Sequence, residues 1–242
     1  MGENPLHEAF VKASEQAGYS ATEDYNGFRQ EGFGPADMTV WKGSRYSTAK
    51  AYLKPALKKK NVQLLKRALV DQIIFEGKKA IGVKFIYRGE TRIIKVKKDI
   101  VLSAGSINSP AILQRSGIGD GEELKSKGVS VLNHLPGVGK NLQDHLEVYF
   151  QVKCLQPITL YKYLNPISKL LIGMQWMFLK NGPGASNQFE TLGFIRSDRN
   201  IAYPDIQFHF LPVAIRYDGT APSEGHGFQL HVTAALQHAS LE

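Results

Sequence analysis

The sequence predicts an α/β (α+β) fold in two successive parts: a parallel sheet with a β-meander, then an antiparallel sheet with a packed helix. Three observations predict it. Apolar and polar residues alternate over stretches of residues 68–97 and over four runs beyond residue 146. Ile100-Val101-Leu102 is a continuous apolar run, the pattern of a strand buried on both faces of a parallel sheet. Between these lie segments of helical period bounded by capping residues.

Residues 4–18 read as a helix: Asn4 caps it, Pro5 takes the first helical position, Leu6, Phe10, Ala13 and Ala17 share a face, and Gly18 closes it. Residues 19–45 are glycine-rich and irregular, as lids and linkers are. A short helix over 47–53 is ended by Pro55. Residues 62–65, 68–75, 81–87 and 92–97 read as strands, the last three joined by turns at 76–79 and 88–90 into a meander. The buried strand over 99–105 leads to a turn, and Ser109 caps a helix that starts at Pro110 and ends at Gly117. A second short helix starts near Asp120; Glu122 and Glu123 lie early, Lys125 and Lys127 late, matching the helix dipole. Residues 135–145 form a loop. Strands follow over 146–153, 189–196, 205–211 and 227–233, with a helix over 166–180, so a boundary falls near residue 147. The expected domains are 1–147, with a lid or linker over about 1–57, and 148–242.

Composition narrows the function. Cys154 is the only cysteine, so no internal disulfide exists; it reads as a small side chain of a strand. The net charge of +8 comes from lysine and arginine runs at 54–60, 78–79 and 92–98, without interleaved aromatics. That is a solvated basic face, or a surface for anionic lipid or an acidic partner, before it is a nucleic-acid groove. No leading apolar stretch reads as a signal peptide, so secretion is not expected. The apolar run over 167–179 is shorter than the roughly 20 residues a membrane span needs. No histidine–cysteine cluster has metal-ligand spacing.

The most informative run is Gly105-Ser-Ile-Asn-Ser-Pro-Ala-Ile-Leu-Gln-Arg-Ser-Gly-Ile-Gly119. Small residues at a strand-to-helix turn let a cofactor lie against the backbone, and a helix N-terminus favours phosphate-like charge. The residues alone are equally those of an ordinary α/β turn. The full run, however, resembles position for position a signature of the glucose–methanol–choline (GMC) oxidoreductase family. The likeness extends to residues 43–55, to Val70 in Ala68-Leu-Val-Asp-Gln-Ile-Ile-Phe75, and to Pro136-Gly-Val-Gly-Lys-Asn-Leu-Gln-Asp-His145. Within the family, residues 16–19, 30–34, 193–197 and 204–212 are most similar to choline-oxidising members.

The resemblance implies an FAD-dependent alcohol oxidoreductase, in which a histidine base takes the alcohol proton and hydride passes to the flavin. It implies a cofactor side formed by Val70, whose backbone meets adenine, Gly105, Ser106, Asn141, Asp144 and His145. It implies a substrate side with Glu190 and His209. Glu190 would bind a trimethylammonium head, which carboxylates and aromatic faces recognise; Phe189, Trp176, Phe208 and Phe210 are the available aromatics. On residues alone Glu190 is a carboxylate at a strand edge. His209, His226 and His231 are either acid–base groups or packed rim residues, and His145 is a hydrogen-bonding loop residue.

Two family features are not found: the leading βαβ unit with Gly-x-Gly-x-x-Gly, since Gly137-Val-Gly139 lacks the third glycine, and the C-terminal histidine region. The chain is therefore expected to be a central fragment with no catalytic residue assigned. Residues 233–242 depart from the family pattern. Choline or another small alcohol is the expected substrate, a quinone-linked acceptor and peripheral membrane contact the further partners. Bacterial cytoplasm, inner-membrane periphery and mitochondria all fit as locations. Another alcohol dehydrogenase of the family, or a non-catalytic binding module, are the alternative readings.

Overall fold

A computed structural model describes residues 4–216, 218, 220 and 225–234. The helices are α1 (Pro5–Gln16), α2 (Lys54–Ala56), α3 (Gly105–Arg115), α4 (Gly121–Ser126) and α5 (Pro166–Leu179). Strands β1 (Gly32–Pro35), β2 (Val40–Trp41) and β3 (Ser44–Arg45) come early; β4 (Ala68–Glu76), β5 (Lys79–Tyr87) and β6 (Glu90–Lys95) form the meander. β7 (Ile118–Gly119), β8 (Asn133–His134) and β9 (Leu146–Lys153) follow, then β10 (Thr191–Ile195), β11 (Ile206–Leu211) and β12 (Gly227–Ala234). The mixed α/β class holds, and every named strand pair but β7–β8 is antiparallel. Residues 235–242 lie outside the described residues.

The chain divides into two compact units, Met1–Ala56 with His145–Glu242, and Leu57–Asp144. The division at 144/145 falls beside the expected boundary. The first 56 residues, however, join the later sheet and not the meander. The cause is local: β1, inside the stretch read as irregular, pairs with β10 from Gly32↔Phe194 to Pro35↔Thr191. α1 then has a surface on which to bury its apolar side.

In the first unit the sheet order is β1-β10-β11-β12-β9. α1 starts as its sequence demands, with the Asn4 side chain accepting from Leu6 N and Pro5 in the first turn. Phe10 stacks on Phe210 at 4.8 Å and meets Phe33 edge-on at 5.4 Å. Gly193 pairs with Phe33, and a Cβ there would lie 2.2 Å from the Phe33 ring, so the aromatic occupies the glycine's missing side chain. α5 is capped by Asn165, and Lys180 in the left-handed region (φ +55°) ends it. Its Trp176 indole donates to Gly43 O at 2.6 Å, while Ile167, Leu170, Leu171 and Phe178 stay exposed.

In the second unit β4, β5 and β6 form the expected meander. The Ser116 hydroxyl accepts from Ile73 N at 2.8 Å and pins the end of α3 to β4. Three expectations change. Residues 99–103 form no strand, and Val101 is 86% exposed. A parallel strand exists only through its neighbours, and among the described residues none pairs with it. Residues 62–65 are likewise unpaired. α3 begins at Gly105 (φ +85°), five residues before Pro110, which lies inside the helix. Inside a helix proline removes one backbone donor and its ring crowds the carbonyl four residues earlier, and the Ser109 hydroxyl accepts from Ala104 N at 3.0 Å, before the helix. One expectation in the first unit changes too: Pro55 lies within α2, directly after a π-helical turn over Ala49–Leu53, instead of ending a helix.

Candidate functional site

A cleft of about 580 Å3 opens in the first unit between the start of α1, residues 157–163 and residues 182–190. Glu190, half-buried at 15% exposure, is its one carboxylate among the described residues. The turn before it is built to hold this group. The Ser186 hydroxyl accepts from Gln188 N at 2.9 Å and donates to Glu190 Oε1. Gln188, with φ +66°, donates from its side chain to Pro183 O at 2.7 Å. The Glu190 carbonyl accepts from Ala36 N at 2.9 Å, which ties the residue to the end of β1.

The second carboxylate oxygen faces α1. His7 Nε2 lies 3.9 Å from Glu190 Oε2, and His7 Nδ1 is hydrogen-bonded to Thr191 Oγ1 at 2.8 Å. His7 is 1% exposed. Burial holds its pKa below the ordinary imidazole value; the Glu190 charge opposes this, and the amino-terminal charge adds a smaller downward pull. Tyr163, Met38 and Pro157 give the cleft apolar walls, and Lys162 also lines it.

His209 is on the other side of the sheet. Its neighbours in β11, Phe208 and Phe210, pack towards α1 and β1, so strand alternation sends His209 the opposite way. There Phe189 presents its edge to His209 (6.1 Å) and His231 (5.6 Å). His231 Nδ1 is 2.8 Å from Glu147 Oε1, and its Nε2 is 2.5 Å from Gln229 Nε2. Burial lowers the His209 pKa, Glu147 raises it in part, and His231 and His145 lower it. Glu190 and His209, expected on one substrate side, therefore occupy opposite faces of the sheet. Of the four available aromatics, Phe208 and Phe210 are in the α1 core, Trp176 is bound to Gly43 O, and Phe189 meets the histidines. Tyr163 is the cleft's aromatic among the described residues. His226 is bonded to Thr159 at 2.7 Å.

Of the residues expected on the cofactor side, Val70, Gly105, Ser106, Asn141 and Asp144 lie in the second unit and His145 in the first. Val70 pairs with Phe85, and its carbonyl accepts from Arg115 at 3.4 Å. Gly105 and Ser106 open the 11-residue α3. A Cβ on Gly105 would meet no heavy atom within 4 Å, so there is open space at the positive end of a helix dipole. Asn141 adopts the left-handed conformation at φ +56°. His7 and Tyr163 were not legible as site residues, because no local motif joins them to Glu190; Ser186 and Thr191 flank Glu190, but a serine and a threonine there carry no local signal of the bonds they make.

The sequence model of GMC oxidoreductases matches residues 1–147. The chain is 54% identical over 230 residues to an oxygen-dependent choline dehydrogenase of Brucella anthropi, covering 95% of this chain and 42% of the relative. It is 52% identical over 229 residues to that of Photobacterium profundum, covering 95% and 40%. The chain thus spans about two fifths of these relatives. Among solved structures, an Aspergillus oryzae formate oxidase superposes with a TM-score of 0.86 at 19% identity, over 97% of this chain and 45% of that one. A pyridoxine 4-oxidase from Mesorbium loti gives 0.77 at 25% identity, over 98% and 43%.

Proposed function

The chain belongs to the GMC oxidoreductase family, and we propose that it is the central portion of an FAD-dependent choline dehydrogenase that converts choline to betaine aldehyde. The observation that carries the substrate is the Glu190 carboxylate, braced by Ser186 at the mouth of a cleft walled by Tyr163, Met38 and Pro157. A quaternary ammonium donates no hydrogen bonds and is held by a carboxylate and an aromatic face. The identity to choline dehydrogenases over 95% of the chain supports the same substrate.

The residues present fit one part of an FAD site. The open space at Gly105, the free first turn of α3 and the β4 backbone at Val70 suit the close approach of an anionic dinucleotide. FAD, when bound, supplies the acceptor for a hydride from the alcohol carbon. In this reading Gly105 and Ser106 bind phosphate, Val70 borders adenine, and Asn141, Asp144 and His145 hold the connecting loop. Glu190 fixes the cationic end of the substrate.

Peripheral membrane contact is a further part of the proposal. The outward face of α5 is apolar, and residues 148–189 hold four lysines and no acidic residue. Among the described residues no helix is long and apolar enough to cross a membrane. The inner-membrane periphery of a bacterium is the location this suits.

The test is a calorimetric titration with choline after incubation with FAD and removal of free cofactor. A retained flavin band and saturable choline binding that Glu190→Gln removes are the expected results. Flavin retention with choline binding indifferent to Glu190→Gln would remove Glu190 from the substrate site, and flavin retention without saturable choline binding would point to another alcohol.

A further inference from the structure

We propose that His7 is a positioning residue for Glu190: with Thr191 and Ser186 it fixes the carboxylate in the cleft and makes cation capture depend on the protonation of a buried imidazole. The inference rests on the reading of Glu190 as the quaternary-ammonium group. The geometry is that of a clamp. Ser186 holds one carboxylate oxygen from the 186–190 turn, and His7 faces the other from α1 at 3.9 Å. That separation is beyond a hydrogen bond, so the interaction is electrostatic. His7 cannot turn away, because Thr191 Oγ1 holds Nδ1 at 2.8 Å and the Phe210 ring meets the imidazole at 5.6 Å.

Both anchors are buried, His7 at 1% and Thr191 at 0% exposure. A histidine that served only to fill the core would not need to direct a ring nitrogen at the cleft's carboxylate. When Thr191 donates to Nδ1, the proton of neutral His7 is on Nε2 and points at Glu190, and the cleft keeps one negative charge to offer a cation. A second proton, on Nδ1, makes the imidazole cationic and offsets that charge. Among the described residues, the charged groups facing His7 and the cleft are Glu190 and Lys162. Burial favours the neutral imidazole, so the cleft is set for a cation while His7 is neutral and loses it as His7 takes up the second proton.

The test uses the 242-residue chain with choline chloride and tetramethylammonium chloride as probes, at pH 7.5 and pH 5.5. His7→Leu is expected to weaken binding about tenfold at pH 7.5, the factor of one modest electrostatic contact. His7→Gln restores a donor near the Nε2 position and cannot titrate. It is expected to bind within about threefold of the parent at pH 7.5 and to lose the fall towards pH 5.5. An unchanged affinity and pH profile in both variants overturns the proposal. Should His7→Leu fail to fold, His7→Gln carries the test alone, since a retained pH dependence in it is equally fatal. One readout separates this proposal from the substrate reading: the NMR titration of the His7 ring proton in Glu190→Gln. Loss of the carboxylate is expected to lower the midpoint, and an unmoved midpoint rejects the coupling. Choline binding unaffected by Glu190→Gln, with the midpoint lowered, rejects only the substrate reading.

Discussion

The two ends of the five-stranded sheet obey the same alternation and meet different fates. At the β1-β10-β11 end, α1 covers the apolar face, and Phe33 and Phe210 are 4% and 3% exposed. At the β12-β9 end the pattern inverts. On β12 it is Gln229, His231 and Thr233 that are buried, while Phe228, Leu230 and Val232 are only half-buried. On β9 the apolar set Leu146, Val148, Phe150 and Val152 is exposed. Burial of the polar set is tolerable because its groups are paired: Gln229 Oε1 accepts from Ile215 N at 2.9 Å and from Gln151 at 3.0 Å, and His231 meets Glu147. Alternation decides which residues share a face. Whether that face is dry depends on what the rest of the chain places over it.

The sharpest way to break this comparison is to remove a ring under α1. Phe210→Ala should cost about 3–5 kcal/mol, because it opens a cavity between Phe10, His7 and Phe228. Both tryptophans, Trp41 and Trp176, lie in the same unit, so their fluorescence in a urea titration reports it directly. A cost below about 1 kcal/mol would mean that α1 does not cover that end of the sheet. Gly193→Ala probes the same core from the other side. Its Cβ would collide with Phe33, and the repacking should cost about 1–3 kcal/mol.

These two variants also mark how far the sequence was readable. Four of the five strands of the larger sheet and α5 were legible nearly to the residue, because long alternating runs and the Asn165-Pro166 start are strong local signals. β1 was not, since Gly32-Phe33-Gly34-Pro35 has no strand composition and is a strand only because β10 pairs with it. The run at 99–103 failed in the opposite sense: its composition demands a buried strand that the described residues do not supply. At the candidate cleft, Glu190 was singled out through family likeness. His7 was not, because its approach to Glu190 spans 183 positions that no local pattern joins.

The third prediction concerns the histidines on the two faces. His7 on one face and His209 on the other both have pKa values lowered first by burial. A folded-state value below that of the unfolded chain means that the unfolded chain takes up protons first as pH falls. The associated stability is complete above the ordinary value of roughly 6.5 and is lost as pH falls through the folded values. Urea midpoints of the first unit should therefore decline between pH 7.5 and pH 5, with a slope of at most about 1.4 kcal/mol per pH unit for each histidine. His7→Gln should remove its share and leave that of His209. A midpoint flat across this range would show that neither imidazole is held neutral by the fold.

The smallest effect is expected where the apolar face is bare. Phe150 is 58% exposed and belongs to β9, the edge strand, directly across from Leu230. Were the sheet's apolar face buried along its whole width, replacing this ring by a hydroxyl would cost as much as the same change under α1. With solvent already on the ring, Phe150→Ser gives up only its partial contact with Leu230, and the change should stay within about 0.5 kcal/mol. The backbone ladder to β12 does not depend on the side chain. A loss of several kcal/mol in the same urea titration would require that something covers β9 in solution, and a drop in mass on going from parent to variant by light scattering would identify a second copy of the chain as the cover.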